Sequence, residues 1–203
     1  MALPATFQAL GSRRGLRRVL AGFIAFTLVQ WSAWMAVILY AFEEGGPGLA
    51  AIASVVLLIP AAIFSPMIGG VGDRMRRGLA LVLAYGAVTV GAALTLAALL
   101  AHAPVWVVLA AGSLFMLTVS GVRPVHFSVL PNLSGGPEEL VSANAMSAAA
   151  DELAEFVGPV LAGLLFALVG AWFVLAVGTA LGLLAVVLCL RLDAGSPSSE
   201  EEP

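Results

Sequence analysis

Scored for apolar and polar positions, the chain falls into long uncharged runs rather than alternating stretches. Residues 19–41, 49–71 and 79–101 are the clearest, 104–122 and 171–190 follow, and a more polar run occupies 140–169. A hydrocarbon core of roughly 30 Å takes about 20 helical residues at about 1.5 Å rise each, so every run is long enough to cross one. The runs are continuous instead of period-two, and lipid-exposed backbone must satisfy its own hydrogen bonds, which makes them helices and not strands. The pattern predicts an all-α, polytopic membrane protein with six transmembrane helices.

Composition agrees and excludes a soluble globular domain: 61% of residues are hydrophobic, 10% are charged, and the mean hydropathy is +1.06. All nine basic residues are Arg, and their placement is one-sided. Arg13, Arg14, Arg17 and Arg18 precede the first run, Arg74, Arg76 and Arg77 lie between the second and third, Arg123 ends the fourth, and Arg191 follows the sixth. The alternate connectors, Glu43 to Gly48, Ala101 to Ala103 and Gly170, hold none. The positive-inside tendency then puts both termini in the cytoplasm, with the bundle in the plasma membrane. Ser12-Arg13-Arg14-Gly15-Leu16 has the look of a twin-arginine export signal, but the apolar stretch behind it is long and further runs follow, so a membrane anchor is expected. The expected organisation is a basic cytoplasmic N-terminus (1–18), a bundle (19–191) and a disordered acidic cytoplasmic tail (192–203).

Run 140–169 carries the residues best suited to chemistry. Asp151, Glu152 and Glu155 lie roughly 18 to 24 Å along it. One Asp at a helix centre costs about 2.5–3.5 kcal/mol on insertion scales, so three carboxylates must face protein, water or protons instead of lipid. Asn144, Ser147, Asp151 and Glu155 follow steps of three and four and share a helical face, which predicts a polar cavity. Glu152 points about 100° away from Asp151. Carboxyl groups one turn apart repel when both are ionised, and this makes the stripe a candidate proton-coupling site. Gln30 and Trp31, near the middle of the first run, could contact a substrate by amide hydrogen bonds and an aromatic face. His126 is expected to be an interfacial hydrogen-bonding residue, and the lone Cys189 a small buried apolar one.

The turn after the second run reads Gly69-x-x-x-Asp73-Arg74-x-Arg76-Arg77. It resembles the loop between helices 2 and 3 of the major facilitator superfamily, G-x-x-x-D-R-x-G-R-[RK], with Arg76 where that pattern has Gly and Gly78 where it has a basic residue. Further on, Arg123-Pro124 to Pro131-Asn132, then Glu139-Leu140 and Asn144, then Gly158-Pro159-x-x-Ala162-Gly163, are similar to the helix 4 to helix 5 region of bacterial efflux-type permeases of that family. The last piece is similar to the end of an antiporter signature, G-P-x-x-G-G. Ser65-Pro66-Met67-Ile68-Gly69-Gly70 echoes it in the second run.

The resemblance implies one six-helix half of such a transporter, built from two inverted three-helix units, with the tail as the start of an interdomain linker. It also implies a cytoplasmic gate at Gly69, Asp73, Arg74, Arg77 and Arg123, an Asp73–Arg123 pair being geometrically plausible, and helix packing at Gly158, Pro159 and Gly163. The expected activity is proton-coupled export of a small molecule by alternating access. The partners would be the lipid bilayer, substrate and protons, and either a second copy or a second six-helix half. The alternative is a non-transporting remnant or a regulatory protein that binds another transporter. No phosphate-binding loop, metal-ligand spacing or nucleophile–base pattern is present, so the sequence predicts no enzyme, cofactor, metal or nucleic-acid partner.

Overall fold

The computed structural model describes residues 14–68, of which 65–68 by backbone alone, and 76–190. Gly69, Asp73 and Arg74, the first copy of the small-Pro echo, the N-terminal segment 1–13 and the acidic tail lie partly or wholly outside the described residues. Within them the chain is helical, with no strand: α1 (Arg14–Ile68), α2 (Arg77–Leu100), α3 (Val105–Ser120), α4 (Val122–Leu133), α5 (Pro137–Val169) and α6 (Ala171–Cys189). Five stretches are long and apolar enough to cross a membrane: Arg14–Phe64, Arg77–Leu100, Val105–Leu133, Pro137–Val169 and Ala171–Cys189.

The first of these is not one rod. Gly45 (φ −150°, ψ 18°) and Gly46 (φ 68°, ψ −162°) are non-helical, and the positive φ at Gly46 is one that a side chain would strain. The chain doubles back there. A Cβ placed on Gly112 of α3 would sit 2.8 Å from Leu57 and 3.5 Å from Val37, residues that a straight helix would hold about 30 Å apart. The two arms of α1, one on each side of the glycine pair, correspond to the first two apolar runs.

A second difference from the sequence expectation concerns the fourth run. The apolar run stops at residue 122, yet α3 leads into α4 through a near-helical Gly121 (φ −81°, ψ −17°), and helical structure continues to Leu133. Pro124 is tolerated because it stands in the first turn of α4, where its missing N–H breaks no bond. Arg123 therefore does not end its span, as the charge pattern suggested. It stands roughly 15 Å before the helix end. α5 likewise begins earlier than residue 140, with Pro137 at its first position and the Glu139 carboxylate accepting from the Gly135 N–H.

α1 packs most extensively on α5, α3 and α6, while α2 packs on α6 and α3. Phe23, Phe26, Tyr85, Phe115, Leu109 and Leu175 fill the centre. The buried hydroxyls of Thr89 and Thr95 donate to carbonyls one turn back in their own helix, whereas the Tyr85 hydroxyl has no hydrogen-bond partner among the described residues. Ser113 bonds as the threonines do and also reaches Val56 O across to α1 at 3.0 Å.

The start of α2 is tied to the end of α4, where Arg77 Nη1 donates to Ser128 O (3.2 Å) and Asn132 Oδ1 (2.8 Å). The Arg-free connectors gather at the opposite end of the bundle, where residues around Glu44, His102 and Trp172 meet.

Candidate functional site

α4 and α5 form an antiparallel hairpin closed by the short turn at 134–136, and the hairpin brings together polar residues at matching distances from that turn. Nearest the turn, His126 Nε2 lies 2.9 Å from Ser147 Oγ, and both side chains are buried. One turn deeper, Arg123 meets Asp151. Its Nη2 donates to Oδ1 at 2.7 Å and Oδ2 at 2.8 Å, and its Nε donates to Oδ2 at 3.1 Å. The same guanidinium reaches α1, where Nη1 donates to Gln30 Oε1 at 3.1 Å. Trp31 Nε1 approaches Asp151 Oδ1 from α1 at 3.5 Å.

The result is a three-helix junction. A planar guanidinium with donors in a fixed fork suits a carboxylate and an amide at once, and Lys could not reproduce that geometry. Asp151 lies roughly 21 Å along α5 from Pro137, well inside the length of a bilayer-spanning helix. A lone carboxylate there would be costly, and the paired cation offsets that cost. Side-chain exposures of 33% for Arg123 and 28% for Asp151 leave the pair open on one side.

Close approach of α5 to α1 makes this junction possible. A Cβ on Gly158 would lie 2.7 Å from Trp31 Cβ and 3.3 Å from Ser32 N, so only glycine admits α1 at this distance. Ser32 Oγ donates to Gly158 O at 3.3 Å. Pro159, next in sequence, has no N–H to offer the Glu155 carbonyl. Gly163 differs: nothing lies within 4 Å of its would-be Cβ, so the packing role expected for it is not met among the described residues.

The stripe expected from spacing divides in two. Ser147 turns into the core, against a His126 ring that also stacks on Phe23 with centroids 4.0 Å apart. Asp151 stands at the edge of the packed face. Asn144, Glu155 and Glu152 are exposed and make no hydrogen bond or ion pair among the described residues. On a helical projection Asn144 and Glu155 fall within about 40° of Asp151 and Glu152 about 100° away, while Leu153, Val160 and Leu164 occupy the far side. The exposed surface of α5 thus has a polar sector beside the ion pair and an apolar sector beyond it. Among the described residues no group of three or more His, Cys, Asp or Glu is placed to hold a metal.

Arg123 is the residue whose place sequence reasoning missed. The structure sets it against Asp151 and Gln30, well inside its helix, while Asp73, the partner expected for it, lies outside the described residues. The available signal was spacing: Arg123 and His126 are three apart, Ser147 and Asp151 four apart, and the two pairs flank a Pro- and Gly-rich turn. Residues 19–203 match the family model described as Major Facilitator Superfamily. No curated protein matches the chain.

Proposed function

The chain belongs to the Major Facilitator Superfamily and is a multi-pass membrane transporter domain, and we propose that it carries the proton-coupling half of an exporter of small molecules. In this reading the arms of α1, with α2, α3–α4, α5 and α6, make six crossings arranged as two inverted three-helix units. The Arg-bearing ends and both termini face the cytoplasm across the plasma membrane. A second six-helix bundle covers the open face that bears Asn144, Glu152 and Glu155.

The observation that carries the proposal is the Arg123–Asp151 pair, set well inside two helices long enough to cross a membrane and joined to Gln30 of α1. Family membership alone says transport; the pair supports coupling to protons. Arg123 holds Asp151 by both carboxylate oxygens, and a proton on that carboxylate removes the charge Arg123 binds. The guanidinium would then keep only its neutral Gln30 contact, and the tie between α4 and α5 would weaken. Glu155, one turn along α5 and exposed with no partner among the described residues, is the carboxylate free to exchange a proton with the cavity. Proton entry at Glu155 and its passage to Asp151 would thus bias the junction of α1, α4 and α5. A substrate that prefers one arrangement of that junction is coupled to the proton by linkage.

The test is proton flux in proteoliposomes. Purified protein is reconstituted with a pH-sensitive dye inside, a pH gradient is imposed, and a panel of small molecules is added outside. The reading expects substrate-dependent proton movement that is abolished in Asp151→Asn and Arg123→Ala and strongly reduced in Glu155→Gln. Substrate flux that persists without a pH gradient and is indifferent to all three substitutions would remove coupling. Protein that moves neither protons nor any of the panel would favour a regulatory role.

A further inference from the structure

At the end of the bundle away from Arg77, the connectors that hold no Arg converge on a cavity of about 390 Å³ that the ion-pair site does not use. Each connector contributes a side chain that can recognise a ligand. Tyr40 and Glu44 come from the last turns of α1 before the Gly45–Gly46 break. His102 comes from the turn between α2 and α3, and Trp172 from the first turn of α6, just past Gly170 (φ 110°).

The backbone at His102 shows how this rim is built. Its φ of 51° is the left-handed conformation in which helices commonly close, and the Ala103 and His102 N–H groups donate back to Ala98 O and Leu99 O at 3.0 Å each. Glycine takes that conformation most readily, and a chain with 22 glycines places an imidazole there instead, directed to the cavity rim.

The chemistry of the lining names a ligand class. Glu44 is an exposed carboxylate, Glu43 beside it is a second, and no Arg lies on these connectors, so the field at this end is negative. Tyr40 and Trp172 supply aromatic faces, which attract a cation, and Leu99 supplies apolar surface. The volume falls in the range of about 300–1,000 Å³ typical of small-molecule sites. We propose that this cavity binds a small monovalent organic cation: Glu44 meets the charge, Tyr40 and Trp172 hold its alkyl or aryl body, and the site is separate from the Arg123–Asp151 junction.

The experiment is equilibrium binding to the whole chain in lipid nanodiscs, with benzyltrimethylammonium as the probe and benzenesulfonate as its anionic counterpart. Saturable binding of the cation and none of the anion is expected. Glu44→Gln should weaken the affinity by roughly tenfold and Trp172→Ala by a similar factor, with Trp172→Phe retaining most of it. Glu44 is exposed, so its substitution leaves the packed core untouched, and an unchanged thermal midpoint checks this. No saturable binding, equal binding of the anion, or affinity unchanged in Glu44→Gln would overturn the proposal. So would binding that survives Glu44→Gln and falls in Asp151→Asn, because the probe would then occupy the Arg123–Asp151 junction.

Discussion

Arg123 Nη2 lies 2.7 Å from Asp151 Oδ1, joining helices whose paired positions are 28 residues apart in the chain. A third of Arg123 and just over a quarter of Asp151 are exposed, on the side of the proposed water-filled polar sector; water there screens the attraction, and the pair should contribute roughly 1 kcal/mol of coupling energy beyond the two separate contributions. Thermal unfolding of Arg123→Ala, Asp151→Ala and the double variant measures it. The double variant should be less destabilised than the two single losses combined, because each single change leaves one charge well inside its helix without its partner. Strict additivity would mean that the contact carries no energy.

Two glycines of one sequence motif give a sharper contrast. Gly158→Ala pushes a methyl group to 2.7 Å from Trp31 Cβ, which no rotamer can move aside, whereas the same change at Gly163 meets nothing within 4 Å. The first should lose about 1–3 kcal/mol from overpacking and also widen the gap between Trp31 and Asp151. The second should stabilise an isolated bundle slightly, by about 0.5–1 kcal/mol, because alanine is the better helix former and nothing opposes its methyl group. Midpoints from a fluorescence-detected thermal ramp in detergent would separate them, and equal shifts would show that α1 does not cross α5 at Gly158.

Much of this architecture was written in the pattern of apolar runs, because a bilayer demands lengths and an absence of charge that local sequence displays. The reversal at Gly45–Gly46 falls between the first two runs, where a connector was expected. The part that escaped depends on a distant partner. From Gly121 to Leu133 the chain offers Arg123, Pro124, His126, Ser128, Pro131 and Asn132, a composition that reads as a loop when each residue is weighed alone. Asp151 offsets the Arg123 charge, Ser147 and Phe23 receive His126, and Arg77 donates to Asn132. Each of those contacts spans 20 residues or more and leaves no mark in local periodicity. The acidic stripe was found by its spacing, but its division into a packed Ser147, an ion-paired Asp151 and an open Glu155 depends on the angle at which α1 lies over α5.

His126 and Ser147 test whether the hairpin register is set by packing or by the hydrogen bond. The ring stacks on Phe23 and is fully buried, so His126→Ala removes stacking and leaves a cavity, at a cost of roughly 3–5 kcal/mol. His126→Phe keeps a ring and leaves Ser147 bonded to Ala143 O, so it should cost about 1 kcal/mol, whereas Ser147→Ala leaves the buried imidazole without a partner on either nitrogen and should cost about 1–3 kcal/mol. Thermal midpoints in detergent rank the three. If His126→Phe proves as harmful as His126→Ala, the bond and not the stacking holds α4 against α5.

Exposure in an isolated bundle does not say whether a surface meets water or lipid, and neighbours on α5 can decide this. Glu155 and Phe156 are both exposed, the latter at 73%, yet they stand about 100° apart on the helix. Glu155 lies in the polar sector beside Asp151, and Phe156 lies on the side shared with Leu153 and Val160. In a Cys189→Ser background, Glu155→Cys should react with a charged, water-soluble methanethiosulfonate reagent roughly tenfold faster than Phe156→Cys, because only a thiol in contact with water can ionise and attack. Cys189 is buried, so its own thiol is shielded from a water-soluble reagent, and the Cys189→Ser background removes it altogether. Equal rates at the two positions would mean that the polar sector lines no aqueous cavity, and Glu155 could not then serve as the point where protons enter.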